Sequence, residues 1–298
     1  MGKDFEASPA PAASPAFPPF TLAVPQAAAL PLVCDSPHSG TQYPADFGAA
    51  VSGPRLRGGE DTHVEALWEA VPRAGGTLVA ANFPRVYIDP NRMLDDLDPA
   101  LLDGAWPELL APGEKTRLGY GLIWRNLDAA TPLYDRKLSL QEVRNRIDSY
   151  YRPYHQALAA AVEAAHARFG AVWHLNLHSM PNNAYERLKI RSERALADFV
   201  LGDRDGTTCE PAFVALVADE LRAMGYTVAC NDPYKGVQLI AQIGRPAERR
   251  HSLQIEIRRP LYMDEATRER NAGFTRLQAD LGRLVERIAA YLREQVRA

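Results

Sequence analysis

The spacing of apolar and polar residues predicts where this chain forms strands and helices. Apolar residues alternate with polar ones in two segments, 171–178 and 252–261, and this alternation is the period of a strand with one buried face. A continuous apolar run at 32–34 ends in a Ser-Pro turn, which is typical of a buried strand that stops there. Shorter apolar runs predict further strands at 77–80, 85–88 and 226–230.

Apolar residues at helical spacing lie between these strands. They predict four helices, from about Glu60 to Gly75, from Ser139 to about Phe169, from Pro211 to Met224 and from Glu265 to Arg297. The second of these helices opens with a capping-box match at residues 139–142. Strands that alternate with helices along the whole chain predict a three-layer α/β/α fold with a mainly parallel or mixed central sheet.

Composition divides the chain into a tail and one domain. Residues 1–29 are rich in Ala, Pro and Ser and are predicted to form a flexible tail, whose Phe17, Phe20 and Leu22 dock its later part onto the body. No linker interrupts residues 30–298, which are predicted to form a single domain. Residues 93–137 have little periodicity, and we expect loops there that form the mouth of a pocket.

Charge and cysteine content exclude several classes of protein. A formal net charge of −3 gives no reason to expect nucleic acid or an anionic membrane as a partner. We find no signal-peptide pattern and no apolar stretch long enough to span a membrane. Three cysteines without CxxC spacing favour reduced thiols, and therefore a cytoplasmic protein. The sequence leaves the oligomeric state open.

Two of the predicted strands end in a histidine that is followed by serine and a turn. His38 follows the strand at 32–34, and His178 ends the strand at 171–178. Because ligands of open α/β sheets bind outside the carboxyl ends of the strands, the two imidazoles are expected at one edge of the sheet. Imidazole is the commonest protein metal ligand, so the pair is a candidate metal site.

Carboxylates complete this candidate site. One acid of the Glu60-Asp61 pair is expected to bind the metal, although Asp61 also suits a helix cap. Glu256 lies in an apolar strand, where an unpaired carboxylate is unfavourable; it either pairs with Arg258 or Arg259 or points to the histidines. Two imidazoles and an acid around a metal with an open position, beside a free carboxylate, are typical of a catalytic zinc hydrolase with one zinc ion per chain. Magnesium and calcium prefer oxygen ligands.

Five motifs, in this order along the chain, resemble those of the N-formylglutamate amidohydrolase family. They are SPHSG (36–40), EDTHV (60–64), RVYIDPNR (85–92), LHSM (177–180) and QIEIRRPLYMDE (254–265). The resemblance spans about residues 32–265. It implies a zinc-carboxypeptidase-like (phosphorylase/hydrolase-like) fold, related to carboxypeptidases and aspartoacylases. It also implies hydrolysis of N-formyl-L-glutamate to formate and glutamate in histidine catabolism.

The resemblance also assigns roles to individual residues. It implies a metal held by His38, His178 and an acid of the 60–61 pair, with Asp61 favoured over Glu60 because it aligns with the acid that precedes the family's histidine. It implies that Glu256 is the general base and that Asn91-Arg92 holds a substrate carboxylate. The chain departs from the family at Asn176, where members often have Asp, and at Thr62, where they commonly have Trp.

Arginines are expected to bind the charged parts of a small anionic N-acyl amino acid. The planar guanidinium binds carboxylates through paired hydrogen bonds, so Arg92 is the leading candidate, with Arg85 and Arg245 as alternatives. Arg258 is predicted to assist the metal in stabilising the oxyanion of the transition state.

Three other functions fit the same residues. The first is a zinc hydrolase that acts on another N-acyl amino acid or on a peptide end. The second is a non-catalytic binding protein with a structural metal, which predicts a closed four-ligand site. The third is a serine hydrolase that uses Ser39 or Ser179, although the chain has no G-x-S-x-G motif.

Overall fold

Seven strands form the central sheet of the computed structural model, which describes residues 15–128 and 130–296. In chain order they are β1 (Phe20–Ala23), β2 (Leu32–Ser36), β3 (Thr77–Ala81), β4 (Val172–Met180), β5 (Phe199–Gly202), β6 (Val228–Cys230) and β7 (Arg250–Arg258). Their order across the sheet is β1-β3-β2-β4-β7-β5-β6. Two small two-stranded ladders, 102–103 with 138–139 and 126–128 with 131–132, lie outside this sheet.

Nine α-helices surround the sheet in the described part of the chain. They are α1 (Val64–Leu67), α2 (Ala70–Ala74), α3 (Glu114–Arg117), α4 (Leu140–Arg146), α5 (Arg152–Phe169), α6 (Ala184–Arg187), α7 (Pro211–Ala223), α8 (Gln238–Ile243) and α9 (Phe274–Gln295). None of these helices is long and apolar enough to cross a membrane.

The sheet is mixed, with a parallel centre. β3, β2, β4 and β7 run parallel to one another, whereas β1 pairs antiparallel with β3 and β5 pairs antiparallel with β7. The carboxyl ends of β2, β4 and β7 therefore meet at one edge of the sheet, where an open α/β sheet binds its ligands.

Each face of the sheet is covered by helices, as predicted for a three-layer α/β/α fold. Alternate residues of β4 and β7 pack against α1, α2, α7 and α9 on one face; these residues are Trp173, Leu175, Leu177, Leu253, Ile255 and Ile257. The opposite face packs against α5, which contributes Tyr154, Leu158 and Val162 to the second core. His174, Asn176 and His178 alternate with the apolar residues of β4, so they face this second layer.

The helix predicted from Ser139 to Phe169 forms with one irregularity. The capping box is present, since the Ser139 hydroxyl accepts from the Glu142 amide and the Glu142 carboxylate accepts from the Ser139 amide. Residues 147–151 form a π-helical turn between α4 and α5. The chain then leaves α5 through Gly170, whose φ of 68° favours glycine.

Several elements differ from the sequence predictions. Residues 20–23 form β1, and Phe17 and Phe20 pack against the second core, so the later part of the tail docks onto the body as predicted, whereas Leu22 is 45% exposed. Residues 1–14 of the predicted tail lie outside the described residues. The helix predicted from Glu60 is interrupted after Leu67, giving α1 and α2. Residues 85–88 form a turn and not a strand although residues 86–88 are buried, because Pro84 and Pro90 flank a segment with no partner strand in the described structure.

Candidate metal centre and active site

Two imidazoles and a carboxylate converge at the carboxyl edge of the sheet. His38 follows β2, His178 lies near the end of β4, and Asp61 lies in the turn before α1; all three side chains are buried. One possible ligand atom of each lies within 4.8 Å of the others. The structure thus brings together the two predicted histidines and the predicted acid.

Backbone packing fixes the loop that carries His38. A β-carbon on Gly40 would lie 2.2 Å from the carbonyl oxygen of Phe83, so only glycine permits the loop to approach this backbone so closely. The carbonyl of His38 accepts a hydrogen bond of 2.9 Å from the amide of Asp61. The SPHSG and EDTHV segments are therefore joined through their backbones.

The outer nitrogen of each imidazole has a hydrogen-bond acceptor. His38 Nε2 donates to Asp89 Oδ1 at 2.7 Å, and His178 Nε2 donates to Asn176 Oδ1 at 2.7 Å. With a proton on each Nε2, a neutral imidazole presents a lone pair at Nδ1. A carboxylate partner behind His38 is the arrangement that orients metal-binding histidines in many proteins.

The inner nitrogens face the same oxygen of Asp61. His38 Nδ1 lies 3.4 Å and His178 Nδ1 lies 3.1 Å from Asp61 Oδ2, and His38 Nδ1 has no hydrogen-bond partner among the described residues. When both imidazoles carry their proton on Nε2, three lone pairs point at one another, whereas a proton on either Nδ1 would be donated to Asp61 Oδ2. A cation between these atoms replaces their mutual repulsion by attraction, so this buried His-Asp-His group can bind a metal ion.

Arg259 holds the second oxygen of Asp61. Its Nη2 donates to Asp61 Oδ1 at 2.9 Å and its Nε donates to Ser179 Oγ at 3.2 Å, with the side chain 5% exposed. Burial alone would raise the pKa of Asp61, but His178, His38 and Arg259 outweigh it and lower that pKa well below its ordinary value. Asp61 is therefore a carboxylate at neutral pH.

Glu60 points away from the cluster. Its carboxylate accepts hydrogen bonds from the Tyr43 hydroxyl at 2.8 Å, from Arg57 Nε at 3.2 and 3.3 Å, and from the Thr62 hydroxyl at 2.9 Å. The geometry therefore favours Asp61 over Glu60 as the acid beside the histidines.

Glu256 lies beside His178 across the strand pair. The two residues are Cα partners in the parallel register of β4 and β7, and the Glu256 side chain is buried. Burial raises its pKa to about 7, with a further increase from Asp61 that His178 opposes. Its Oε1 accepts a hydrogen bond of 3.0 Å from Gln254 Nε2. A buried carboxyl group that titrates near neutrality suits a general base.

The Asp89–Arg92 turn brings two of the predicted substrate residues to this edge. The side-chain Nδ2 of Asn91 lies 3.0 Å from His178 Nε2, and the backbone N–H of Asn91 donates to Asp89 Oδ1. Arg92 is partly buried, and its guanidinium donates to the carbonyls of Tyr120 and Asn91 at 3.0 Å each.

Arg85 contacts the site through Asp89. Its Nε and Nη2 donate to Asp89 Oδ2 at 3.1 and 2.8 Å, while the other Asp89 oxygen holds His38. Arg85 therefore neutralises the carboxylate that orients His38.

Two predicted arginines lie elsewhere. Arg258 donates to Asp198 at 2.6 Å and to Asn182 at 3.3 Å, so its guanidinium is engaged outside the His-Asp-His cluster. Arg245 pairs its backbone with Arg250, the first residue of β7, at the opposite end of the strand from Glu256, and its side chain pairs with Glu248 at the surface. The structure therefore separates Arg245 from the His-Asp-His cluster by the length of a strand, and it does not bring Arg245 together with the other predicted site residues.

Arg259 and Asp89 contact the cluster without having been predicted to do so from the sequence. Asp89 had only a turn-forming signal, and Arg259 was weighed only as a partner of Glu256. The RRP sequence at 258–260 carried the available signal for Arg259, because a proline after a strand starts a turn and redirects the residue before it.

A family model and two curated proteins match most of this chain. The family model of N-formylglutamate amidohydrolases matches residues 30–263. An N-formylglutamate deformylase of Pseudomonas aeruginosa is 29% identical over 276 residues, which are 89% of this chain and 95% of that protein. An N-formylglutamate deformylase of Pseudomonas putida is 28% identical over 246 residues, 79% of this chain and 83% of that protein.

Two solved structures also match, one at high sequence identity and one in fold alone. The crystal structure of N-formylglutamate amidohydrolase from Ralstonia eutropha JMP134 is 78% identical, covers 94% of this chain and 100% of its own, and superposes with a TM-score of 0.93. The gene product Atu2144 from Agrobacterium tumefaciens shares the fold, with a TM-score of 0.62 at 16% identity over 94% of this chain and 96% of its own. Since the family model matches residues 30–263, which are most of the chain, this chain belongs to the N-formylglutamate amidohydrolase family.

Proposed function

We propose that this protein is a zinc-dependent amidohydrolase that cleaves N-formyl-L-glutamate to formate and L-glutamate. The observation that carries the proposal is the convergence of His38, Asp61 and His178 beside the buried carboxyl group of Glu256. The family and the names of the Pseudomonas and Ralstonia relatives supply the substrate. Release of glutamate and formate suits a step in histidine catabolism.

Zinc is the metal that best fits the donor set. Two imidazole nitrogens and one carboxylate oxygen match the ligands of catalytic zinc sites, whereas magnesium and calcium prefer oxygen ligands. A zinc ion held here would lower the pKa of a water molecule towards ~7 and polarise the amide carbonyl of a substrate. Three protein ligands leave a coordination position open, which supports catalysis over a closed structural site.

Glu256 is assigned the proton transfers. As a carboxylate it removes a proton from the attacking water, and as the resulting acid it returns that proton to the departing amine of glutamate. A pKa raised to about 7 by burial suits both directions of transfer at neutral pH.

Asn91 and Arg92 are assigned to the substrate carboxylate. Both belong to the Asp89–Arg92 turn, and the two backbone carbonyls that accept from Arg92 hold its guanidinium in one orientation. A fixed guanidinium binds a carboxylate with less loss of side-chain freedom than a mobile one. Arg85 is placed behind the site, where it supports Asp89.

The serine-hydrolase alternative lacks its central contact. Ser39 accepts a hydrogen bond from Ser36, and Ser179 accepts one from Arg259. Among the described residues, neither serine hydroxyl has a hydrogen bond to a histidine, which a serine nucleophile needs as its base.

The decisive experiment combines metal analysis with product detection. We expect about one zinc per purified chain, formate release from N-formylglutamate, loss of activity on chelation and recovery with zinc. N-acetylglutamate and N-formylglutamine, assayed in parallel, separate preference for the acyl group from preference for the side-chain carboxylate. Full activity of metal-free protein would refute the metal assignment, and faster hydrolysis of another acyl group would replace the substrate assignment.

A further inference from the structure

A buried hydrogen-bond chain extends behind His178. Its Nε2 donates to Asn176 Oδ1 at 2.7 Å, and Asn176 Nδ2 donates to Asp35 Oδ1 at 2.8 Å. Asn176 and Asp35 are fully buried and are Cα partners across β4 and β2. This series of hydrogen bonds therefore links His178 of the candidate metal site to the Asp35 carboxylate on the neighbouring strand β2.

Asp35 accepts from two further groups. His174 Nε2 donates to its Oδ1 at 2.9 Å, and the Tyr154 hydroxyl donates to its Oδ2 at 2.7 Å. Burial alone would raise the pKa of Asp35, but the hydrogen bonds from His174, Asn176 and Tyr154 outweigh it and lower that pKa. An ionised carboxylate only accepts hydrogen bonds, so the Asn176 amide must turn its nitrogen to Asp35 and its oxygen to His178.

A second amide competes for the same nitrogen of His178. Asn91 Nδ2 lies 3.0 Å from His178 Nε2, which can either donate to Asn176 Oδ1 or accept from Asn91, but cannot do both as a neutral imidazole. The Asn91 oxygen has no hydrogen-bond partner among the described residues, so this amide is free to rotate and present it. The Asn176 amide is not free to rotate, because Asp35 holds its nitrogen.

We propose that Asp35 is a positioning residue: by holding the Asn176 amide, it keeps the imidazole proton of His178 on Nε2 and leaves Nδ1 free to bind the metal. The inference rests on the proposed metal site. It also accounts for Asn176 at a position where members of the family often have Asp. In this chain the negative charge belongs to Asp35 on β2, and the side-chain amide of Asn176 connects it to His178.

The first test is the zinc affinity of three variants, measured by competition with a chromogenic chelator. Asp35→Asn removes the charge and allows both amides to turn their nitrogens to His178, so zinc should bind about 10–100-fold more weakly. The double variant Asp35→Asn/Asn176→Asp places a carboxylate directly against His178 and should recover most of the affinity. Tyr154→Phe, the matched control, removes a different donor to Asp35 and should stay within about threefold of wild type.

These variants separate positioning from a general structural role. Equal losses in Asp35→Asn and Tyr154→Phe, unchanged affinity in Asp35→Asn, or no recovery in the double variant would each overturn the inference. A wild-type protein that binds no zinc would instead refute the proposed function.

The second test needs no variant and decides the matter if Asp35→Asn does not fold. Nitrogen-15 NMR of zinc-free wild-type protein, at a pH where the imidazole is neutral, reports which nitrogen of His178 carries the proton. We expect the proton on Nε2 in wild type and, where the variant folds, a shift towards Nδ1 in Asp35→Asn. A proton on Nδ1 in wild type would overturn the inference.

Discussion

Replacing Glu256 by Gln should make the zinc-free protein more stable at alkaline pH while it disables catalysis. Burial raises the pKa of Glu256 from its ordinary value of 4.5 to about 7. Each tenfold change in an ionisation equilibrium is about 1.4 kcal/mol, so ionising this group in the folded, zinc-free protein costs about 3 kcal/mol. Glutamine has nearly the same shape and never ionises, so it avoids that cost.

The sign of the pH dependence follows from the two pKa values. The unfolded chain loses the Glu256 proton near pH 4.5, whereas the folded chain keeps it up to about pH 7. The stability contributed by the protonated group is therefore complete below about pH 4.5 and is lost as the pH rises to about 7. Between pH 5.5 and 8.5, the free energy of unfolding of Glu256→Gln should gain about 2 kcal/mol relative to wild type.

Urea unfolding of chelator-treated proteins at these two pH values measures the difference. Glu286→Gln, at an exposed position of α9, is the matched control and should show no such pH dependence. Bound zinc favours the ionised carboxylate, so the effect should shrink in zinc-loaded protein. Turnover of zinc-loaded Glu256→Gln should fall by ~10²–10⁴-fold at unchanged zinc content. If Glu256→Gln raises the free energy of unfolding equally at both pH values, the pKa of Glu256 is not raised by burial. If its turnover falls less than tenfold, Glu256 is not the general base.

Four further variants test the remaining assignments. Metal analysis should find that Asp61→Ala loses zinc and that Glu60→Ala keeps it, because the Glu60 carboxylate is bound by Tyr43, Arg57 and Thr62. The opposite result would show that Glu60, and not Asp61, is the acidic ligand. Arg92→Lys should lower kcat/KM about 10–100-fold for N-formylglutamate, since a charge-assisted paired contact is worth ~1.5–3 kcal/mol. A substrate whose carboxylate is converted to an amide should be hydrolysed about equally by this variant and wild type, and equal slowing of both substrates would show a structural role. Arg245→Ala, at the far end of β7, should leave kcat/KM within about twofold and stability within ~1 kcal/mol.

Local sequence patterns predicted the central strands well, because the apolar residues that alternate along these strands are the ones buried on one face of the sheet. Leu253, Ile255 and Ile257 alternate with polar residues, and all three are buried on one face of β7 as that pattern predicts. The same reasoning failed at residues 85–88, whose apolar side chains are buried without any strand pairing. Burial and strand pairing are separate properties, and a short apolar run reports only the first.

The site was predictable where a residue type carries its own chemistry. His38, Asp61 and His178 were predicted to share a metal because strand-end histidines of a parallel sheet meet at one edge, and the structure brings these side chains together with Glu256 beside them. Arg259 was missed because a 3₁₀ turn at 259–261 decides which of two adjacent arginines faces the cluster. That choice depends on backbone geometry and on a partner nearly two hundred residues away, and neither leaves a local pattern.

The position of β4 in the sheet also sets the order in which this protein can assemble. β4 lies between β2 and β7, so His38 reaches His178 only after segments about 140 residues apart have paired. Pairing over such separations is slow because a long loop must close first. The proposed zinc ion is therefore expected to bind the finished sheet and not to act as an early nucleus for folding. Stopped-flow measurements should find that zinc slows unfolding and leaves the rate of refolding nearly unchanged.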